Sequence, residues 1–391
     1  MMASTRSLDA LIEAIDNTPL IDNHAHPLLK PEHLPQYSLL AVTSEAHGDA
    51  TQDARQSLSH IRAIRQLADV LGCKAEWAAV VEAVERRRAD DRLAWTARCL
   101  TGIETILVDD GLDNIDRVEG YTWHDAFTRS KCKRIVRIEA LAQEIIAKGC
   151  GAYGGGGGTP SAEFLASFEW EIRRCIDDPE VAGFKSIICY RGGLDIPRSS
   201  PTWKAVAQGI EEIYRRHRRG EAEFKRLEYP LLNHLLVHTV ARLITGHSAS
   251  HKKPIQFHTG LGDNDITLTR SSPSHLQEFI REYPAVPVVL LHAGYPWTKE
   301  TAYLATTYAN VYADIGEVFP CISHRGQKSV VKEMLELCPW SKVLCSTDGH
   351  WFPETYLLAN RQIREALKTV GIPKIDRKLY SYTLTYTISF I

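Results

Sequence analysis

The chain has 391 residues, with 46 Lys and Arg against 48 Asp and Glu, a formal net charge of −2, and 44% hydrophobic residues. That balance offers no basic surface to nucleic acid or membrane, so a small-molecule partner is the default, and a homo-oligomer is compatible with it. The length is too great for one small domain but suits a single barrel carrying an insertion.

The N-terminal stretch MMASTRSLDALIEAID reads as an amphipathic helix without the apolar core of a secretory signal. No run of about 18 apolar residues follows anywhere in the chain. Nine cysteines, odd in number and nowhere in CxxC spacing, suggest neither a disulfide framework nor a zinc finger and fit a reducing compartment. The expected location is cytoplasmic.

The first strong signal is IDNHAHP, from Ile21 to Pro27. His24 and His26 follow the apolar run Pro19, Leu20, Ile21 where a buried strand is ending, and side chains two apart on a strand share a face. The pair can hold one ion, although a solvated or core-satisfied HxH remains open on this motif alone. Residues 33–100 then contain no convincing strand. Leu58, Ile61, Ile64, Leu67 and Leu71 recur at helical spacing, and the pattern continues from Trp77 to Arg88 and from Leu93 to Leu100. An insertion there would overhang the carboxyl end of the first strand, as a cap or as a decoration of the rim.

From Ile103 the pattern alternates short apolar runs with helices. GIETILVDDGL ends in Asp109 and Asp110, KRIVRIE ends near Arg137 and Glu139, and GFKSIICYRGG places Tyr190 and Arg191 at its end. PIQFHTG, VPVVLLHAGYP, NVYADIGE and KVLCSTDGH complete eight runs. The predicted fold is an α/β (β/α)8 TIM barrel with a helical insertion after the first strand. It covers residues 1–378, with 33–100 as a cap within it and 379–391 as an atypical, uncharged tail prone to aggregation. The glycine run in GAYGGGGGTP lacks the following Lys and Ser/Thr of a phosphate loop and reads as a linker.

Strand ends of a barrel converge on one mouth, so His24, His26, His258, His292 and Asp348 become neighbours. Several imidazoles and a carboxylate suit one divalent ion, Zn²⁺ with Mn²⁺ as an alternative, leaving a position for water. HAH, HTG, LLHAGYP and STDGH at strands one, five, six and eight resemble the metal-dependent amidohydrolase superfamily, in its type 2 branch. VDDGLD, YTWHDAFTRS, KRIVRIEA and QFHTGLGDNDITL are similar to the amidohydrolase-like domain that opens fungal FluG-type and plant nodulin/glutamine-synthetase-like proteins. In those proteins a glutamine-synthetase-like domain follows.

The resemblance implies that His24, His26, His258 and Asp348 bind the metal, that Asp348 is also the general base, and that His292 polarises the substrate carbonyl. It further implies hydrolysis of a C–N bond, an amide, in a small anionic substrate, with a γ-glutamyl amide as a candidate. A non-oxidative decarboxylase and a catalytically silent regulatory scaffold are the rivals. Arg191, Tyr190, Arg137 and His350 are candidate substrate contacts; Arg191 and Arg137 have structural ion pairing as the alternative. Some superfamily members carry a carboxylated lysine on the fourth strand that bridges two metals. With Tyr190 at the mouth, a rise of about 3.3 Å per residue buries Lys185 ~15 Å below it, which favours one metal. His234 and His238, four apart, lack the glutamate of a zincin and read as outer-helix residues.

Overall fold

The computed structural model describes residues 2–112, 115–152, 159–218 and 226–374. The central glycines of GAYGGGGGTP and the tail 379–391 lie outside them. Eight strands, β1 (Leu20–Ala25), β2 (Ile103–Asp109), β3 (Lys133–Arg137), β4 (Val181–Ser186), β5 (Ile255–Phe257), β6 (Val288–Leu290), β7 (Val311–Asp314) and β8 (Val343–Leu344), pair in parallel in chain order. The ring closes through Asn23 N–H to the Cys345 carbonyl at 3.0 Å and His26 N–H to the Gly349 carbonyl at 2.7 Å. The (β/α)8 barrel is therefore observed as expected.

The strands form because their apolar runs are buried on both faces, by the barrel interior and by the surrounding helices. Phe184, Ile255, Phe257, Val288, Leu290, Val311 and Ala313 are all fully buried. Helices such as Pro160–Asp177 and Pro230–Gly246 cover them with Phe164, Phe168, Leu236 and Val240. No described helix is long and apolar enough to cross a membrane.

The insertion is helical, as its periodicity requires. Ser57 caps the helix Leu58–Leu71 by accepting from His60 N–H at 3.2 Å, and Gly72, at φ 69°, supplies the left-handed residue that ends it. The helix Trp77–Cys99 breaks at Asp91, whose side chain accepts from Ala94 N–H at 2.9 Å and restarts the second half. The insertion is pinned to the barrel: Trp95 Nε1–H and the Arg88 guanidinium both reach the buried Glu354 carboxylate, at 2.6 and 2.7 Å. Its loop carrying Glu45 and His47 reaches the barrel mouth, where both residues line the central cavity.

Candidate metal centre

On β1 the alternation of the strand turns Asp22 and His24 inward, and His26 continues the same face just beyond the strand; all three are buried. Gln256 on β5 donates through Nε2 to the Asn23 carbonyl at 2.8 Å, so its Oε1 faces His24 Nδ1 at 2.9 Å and must accept from it. His26 Nδ1–H donates to the Asp109 carbonyl at 3.0 Å. Both imidazoles thus keep the Nε2 lone pair for the barrel axis, the arrangement in which an outer hydrogen bond fixes the tautomer and aim of a metal ligand. Asp348 Oδ1 stands 3.5 Å from each Nε2, and His24, His26 and Asp348 can hold one ion together.

A second group of three lies beside the first: His258, His292 and Glu317. The rings of His258 and His292 are 4.4 Å apart between centroids, and those of His24 and His292 5.7 Å. The sequence reading groups His258 with the first three ligands and sets His292 across the pocket; His292 stands directly beside His258. Glu317, which that reading passes over, is 3% exposed and brings Oε2 to 3.2 Å from His292 Nδ1. Its signal was available in NVYADIGE, an acid just past strand seven, at the height where the other strands deliver ligands. His292, Glu317 and Asp348 all sit at positive φ, 64°, 55° and 50°. Each such residue costs on the order of 1–3 kcal/mol, and strain of this kind gathers at functional sites. Gly262 shows how tightly the mouth is built: a Cβ there would collide with the Tyr190 hydroxyl and lie 2.8 Å from His258 Nε2.

Lys185 corrects the sequence reading. Strand β4 ends at Ser186 and the chain turns through Ile188–Arg191, so Lys185 lies at the mouth, not far beneath it. Its Nζ is 2.9 Å from His24 Nε2. The cause is Glu139, in the first turn of the helix after β3: its carboxylate accepts from Ser186 Oγ at 2.6 Å and from Ile187 N–H at 3.1 Å. Those bonds replace the ladder and end the strand, while Ile187, Ile188 and Cys189 stay buried and so look strand-like in sequence. The same helix start removes Glu139 from β3, which stops at Arg137.

The electrostatics favour a cation. Burial, with Lys185 and neighbouring imidazoles adding to it, holds His24, His258 and His292 well below the usual histidine range, so each is a neutral donor at pH 7. Burial alone would raise Asp348, but His292, His26 and His350 outweigh it wherever they take up a proton, so the carboxyl is held below the usual carboxylate range. Burial also brings the Lys185 ammonium down to about 8 despite the nearby Asp109. His292 Nδ1, Glu317 Oε2 and Asp348 Oδ1 are buried without a hydrogen-bond partner. An unsatisfied buried polar atom costs about 1–3 kcal/mol, more when charged. Neutral imidazoles, a carboxylate and orphaned acceptors gathered in two adjacent groups are a donor set that a divalent cation fits.

The centre opens into a cavity of about 250 Å³ lined by Tyr190, Arg191, Arg226, Asp263, His350 and Glu45, among others. All four candidate substrate contacts line it, yet they differ in freedom. Tyr190 Oη is 3.0 Å from His258 Nε2, and His350 Nδ1–H donates to the Asp348 carbonyl at 2.9 Å. Arg191 makes one bond, to the Tyr190 carbonyl at 3.3 Å; its Nε is buried without a partner, and no ion pair with Asp195 forms among the described residues. Arg137 also lines the cavity, but its guanidinium grips Asp109 through Nε and Nη2 at 2.6 to 3.2 Å. His238, one of the zincin-like pair, is committed to Tyr283 Oη and the Pro197 carbonyl at 2.8 and 3.0 Å.

The Arg137 pair makes a testable contrast. Burial works against the Asp109 carboxylate, but Arg137, then His26 and Lys185, holds it well below the usual carboxylate range. A depressed folded-state value contributes stability above about pH 4 that is lost as pH falls. Arg137→Met leaves Asp109 buried and unpaired, so urea unfolding at pH 7 is expected to show a loss of about 3–5 kcal/mol. Unchanged stability with weakened substrate affinity would make Arg137 a substrate contact instead.

Comparison with known proteins places these observations. A family profile described as amidohydrolase matches residues 136–375. Protein fluG of Emericella nidulans is 40% identical over 96% of this chain, and the chain spans 44% of that relative's length. Among solved structures, a "putative metal-dependent hydrolase" from Lactobacillus casei superposes with a TM-score of 0.78 at 24% identity, over 97% of this chain and 94% of that one. A uronate isomerase from Bacillus halodurans has a TM-score of 0.62 at 12% identity, over 99% and 94%. At these identities the structural likeness speaks for the fold alone.

Proposed function

The chain belongs to the amidohydrolase family, and from that premise we propose that it is a metal-dependent hydrolase cleaving a C–N bond, an amide, in a small anionic substrate. A γ-glutamyl amide is the leading candidate. The observation that carries the reading is the convergence of His24, His26, His258, His292 and Asp348 on one mouth beside an open cavity. The substrate class rests on resemblance to FluG-type domains and on the guanidinium of Arg191, which makes no ion pair among the described residues.

A divalent cation, Zn²⁺ by the softness of the imidazole donors, would supply an activated water and polarise the carbonyl. His24, His26 and Asp348 would hold it, with His258 and His292 completing the donor set. The chain's own residues do the rest. Asp348, ionised at neutral pH, takes the proton of the attacking water and can return it to the departing nitrogen. Gln256 and the Asp109 carbonyl keep the β1 imidazoles in the tautomer that leaves Nε2 bare. Arg191 pairs with a substrate carboxylate and so sets the scissile bond against the centre.

Release of amine from γ-glutamyl amides by metal-replete protein tests the reaction. Carbon dioxide released from aromatic carboxylates, with no amide cleaved, would establish the decarboxylase rival in its place. For Arg191→Met the expected result is full metal content with kcat/KM toward an anionic amide reduced by about 2–5 kcal/mol, the scale for breaking a buried charge pair. A matched substrate with a carboxamide in place of the carboxylate should be unaffected. Equal losses on both substrates would remove Arg191 from substrate recognition.

A further inference from the structure

The cavity above the metal centre holds an unpaired guanidinium and unpaired carboxyl groups. On one wall Arg191 has no carboxylate within ion-pair distance among the described residues, and its buried Nε bonds to nothing. Arg226 stands next to it but is committed to Asp265 at 2.5 Å, Glu228 at 3.0 Å and the Tyr190 carbonyl at 2.8 Å. On another wall Glu45, carried in by the insertion loop, has Oε1 buried without a hydrogen bond and makes no ion pair among the described residues. Glu317, 3% exposed with its own orphaned Oε2, and Asp263 also line the cavity.

A guanidinium and a carboxyl left unpaired in one cavity cost free energy unless a ligand pairs with both, and a bound ammonium would favour the ionised carboxylate. Resting on the amide-hydrolase reading and refining its substrate, we propose that the cavity recognises a zwitterionic α-amino-acid head, Arg191 taking the carboxylate and Glu45 the ammonium. A ligand with one charge would satisfy one wall and leave the other desolvated and bare. The insertion thereby gains a part in recognition, because its loop supplies the group that distinguishes an amino acid from a plain dicarboxylic acid. Specificity of this kind comes from the unpaired group that the wrong ligand leaves behind.

Calorimetric titration of the full, metal-replete chain with L-glutamate, glutarate and 4-aminobutyrate tests the proposal without turnover. Glutarate lacks the ammonium and 4-aminobutyrate the α-carboxylate. The expected result is at least tenfold tighter binding of L-glutamate than of either. Glu45→Gln should erase the advantage over glutarate while leaving the Kd of glutarate, the metal content and the thermal midpoint unchanged. Equal affinity of wild type for glutamate and glutarate, or no binding of any of the three, overturns the proposal. So does a Glu45→Gln protein that loses metal, since Glu45 would then belong to a cation site. Binding in this pattern by a protein that cleaves no amide would sink the hydrolase reading and leave the head-group site standing.

Discussion

His24→Ala is expected to abolish both metal retention and turnover, whereas His234→Ala leaves both nearly intact. His24 is fully buried, its Nδ1 is held by Gln256, and its Nε2 faces Asp348 at 3.5 Å, so the variant deletes a donor that the surroundings cannot replace. Loss of an outer-shell partner typically costs 10–100-fold in metal affinity or activity. Loss of the ligand itself should exceed about a hundredfold, and Gln256→Ala should fall within that outer-shell range. His234, on the helix Pro230–Gly246, belongs to neither cation-capable group. Metal analysis of the purified variants with a matched rate assay decides the matter; equal metal content in wild type and His24→Ala would sink the site assignment.

Lys185→Met is the second large effect. A lysine deep under the barrel mouth would act mainly on stability. One whose Nζ is 2.9 Å from His24 Nε2 acts on the centre. Methionine fills much of the same volume and removes a buried charge, so the thermal midpoint should hold or rise. Metal content and kcat/KM should both fall, the latter by more than about a hundredfold, beyond the loss of an outer-shell partner. Lys185 touches the ligand group that holds the single proposed cation, so wild type should carry one cation per chain and the variant less than one. Two cations per wild-type chain, falling to one in Lys185→Met, would overturn the one-metal reading; metal content unchanged in the variant with only stability lost would return Lys185 to a structural role.

The first-strand HxH, the helical insertion and the eight alternating elements were legible because local periodicity reports burial directly. A run such as VPVVLL is buried on both faces whatever its neighbours, and His24 and His26 share a face because a strand has a period of two. Even the break at Asp91 was foreshadowed by two separate helical stretches, 77–88 and 93–100. Strand ends, however, are set by contacts between elements. The apolar run through Cys189 gave no sign that Glu139, 47 residues before Ser186, would capture the chain there and lift Lys185 to the mouth.

By itself, then, the sequence determined the barrel, its order, and the identity of five residues at its mouth, since each depends on local pattern and on convergence common to all barrels. Tertiary structure alone decided how they divide. Whether Arg137 is free or spent on Asp109, whether His258 keeps company with His26 or with His292 and Glu317, and how Arg191 and Glu45 come to stand unpaired in one cavity are questions of distance between segments remote in sequence. Pairing energies change over a few ångströms, and no periodicity encodes a separation between strands that the closing of the barrel itself sets.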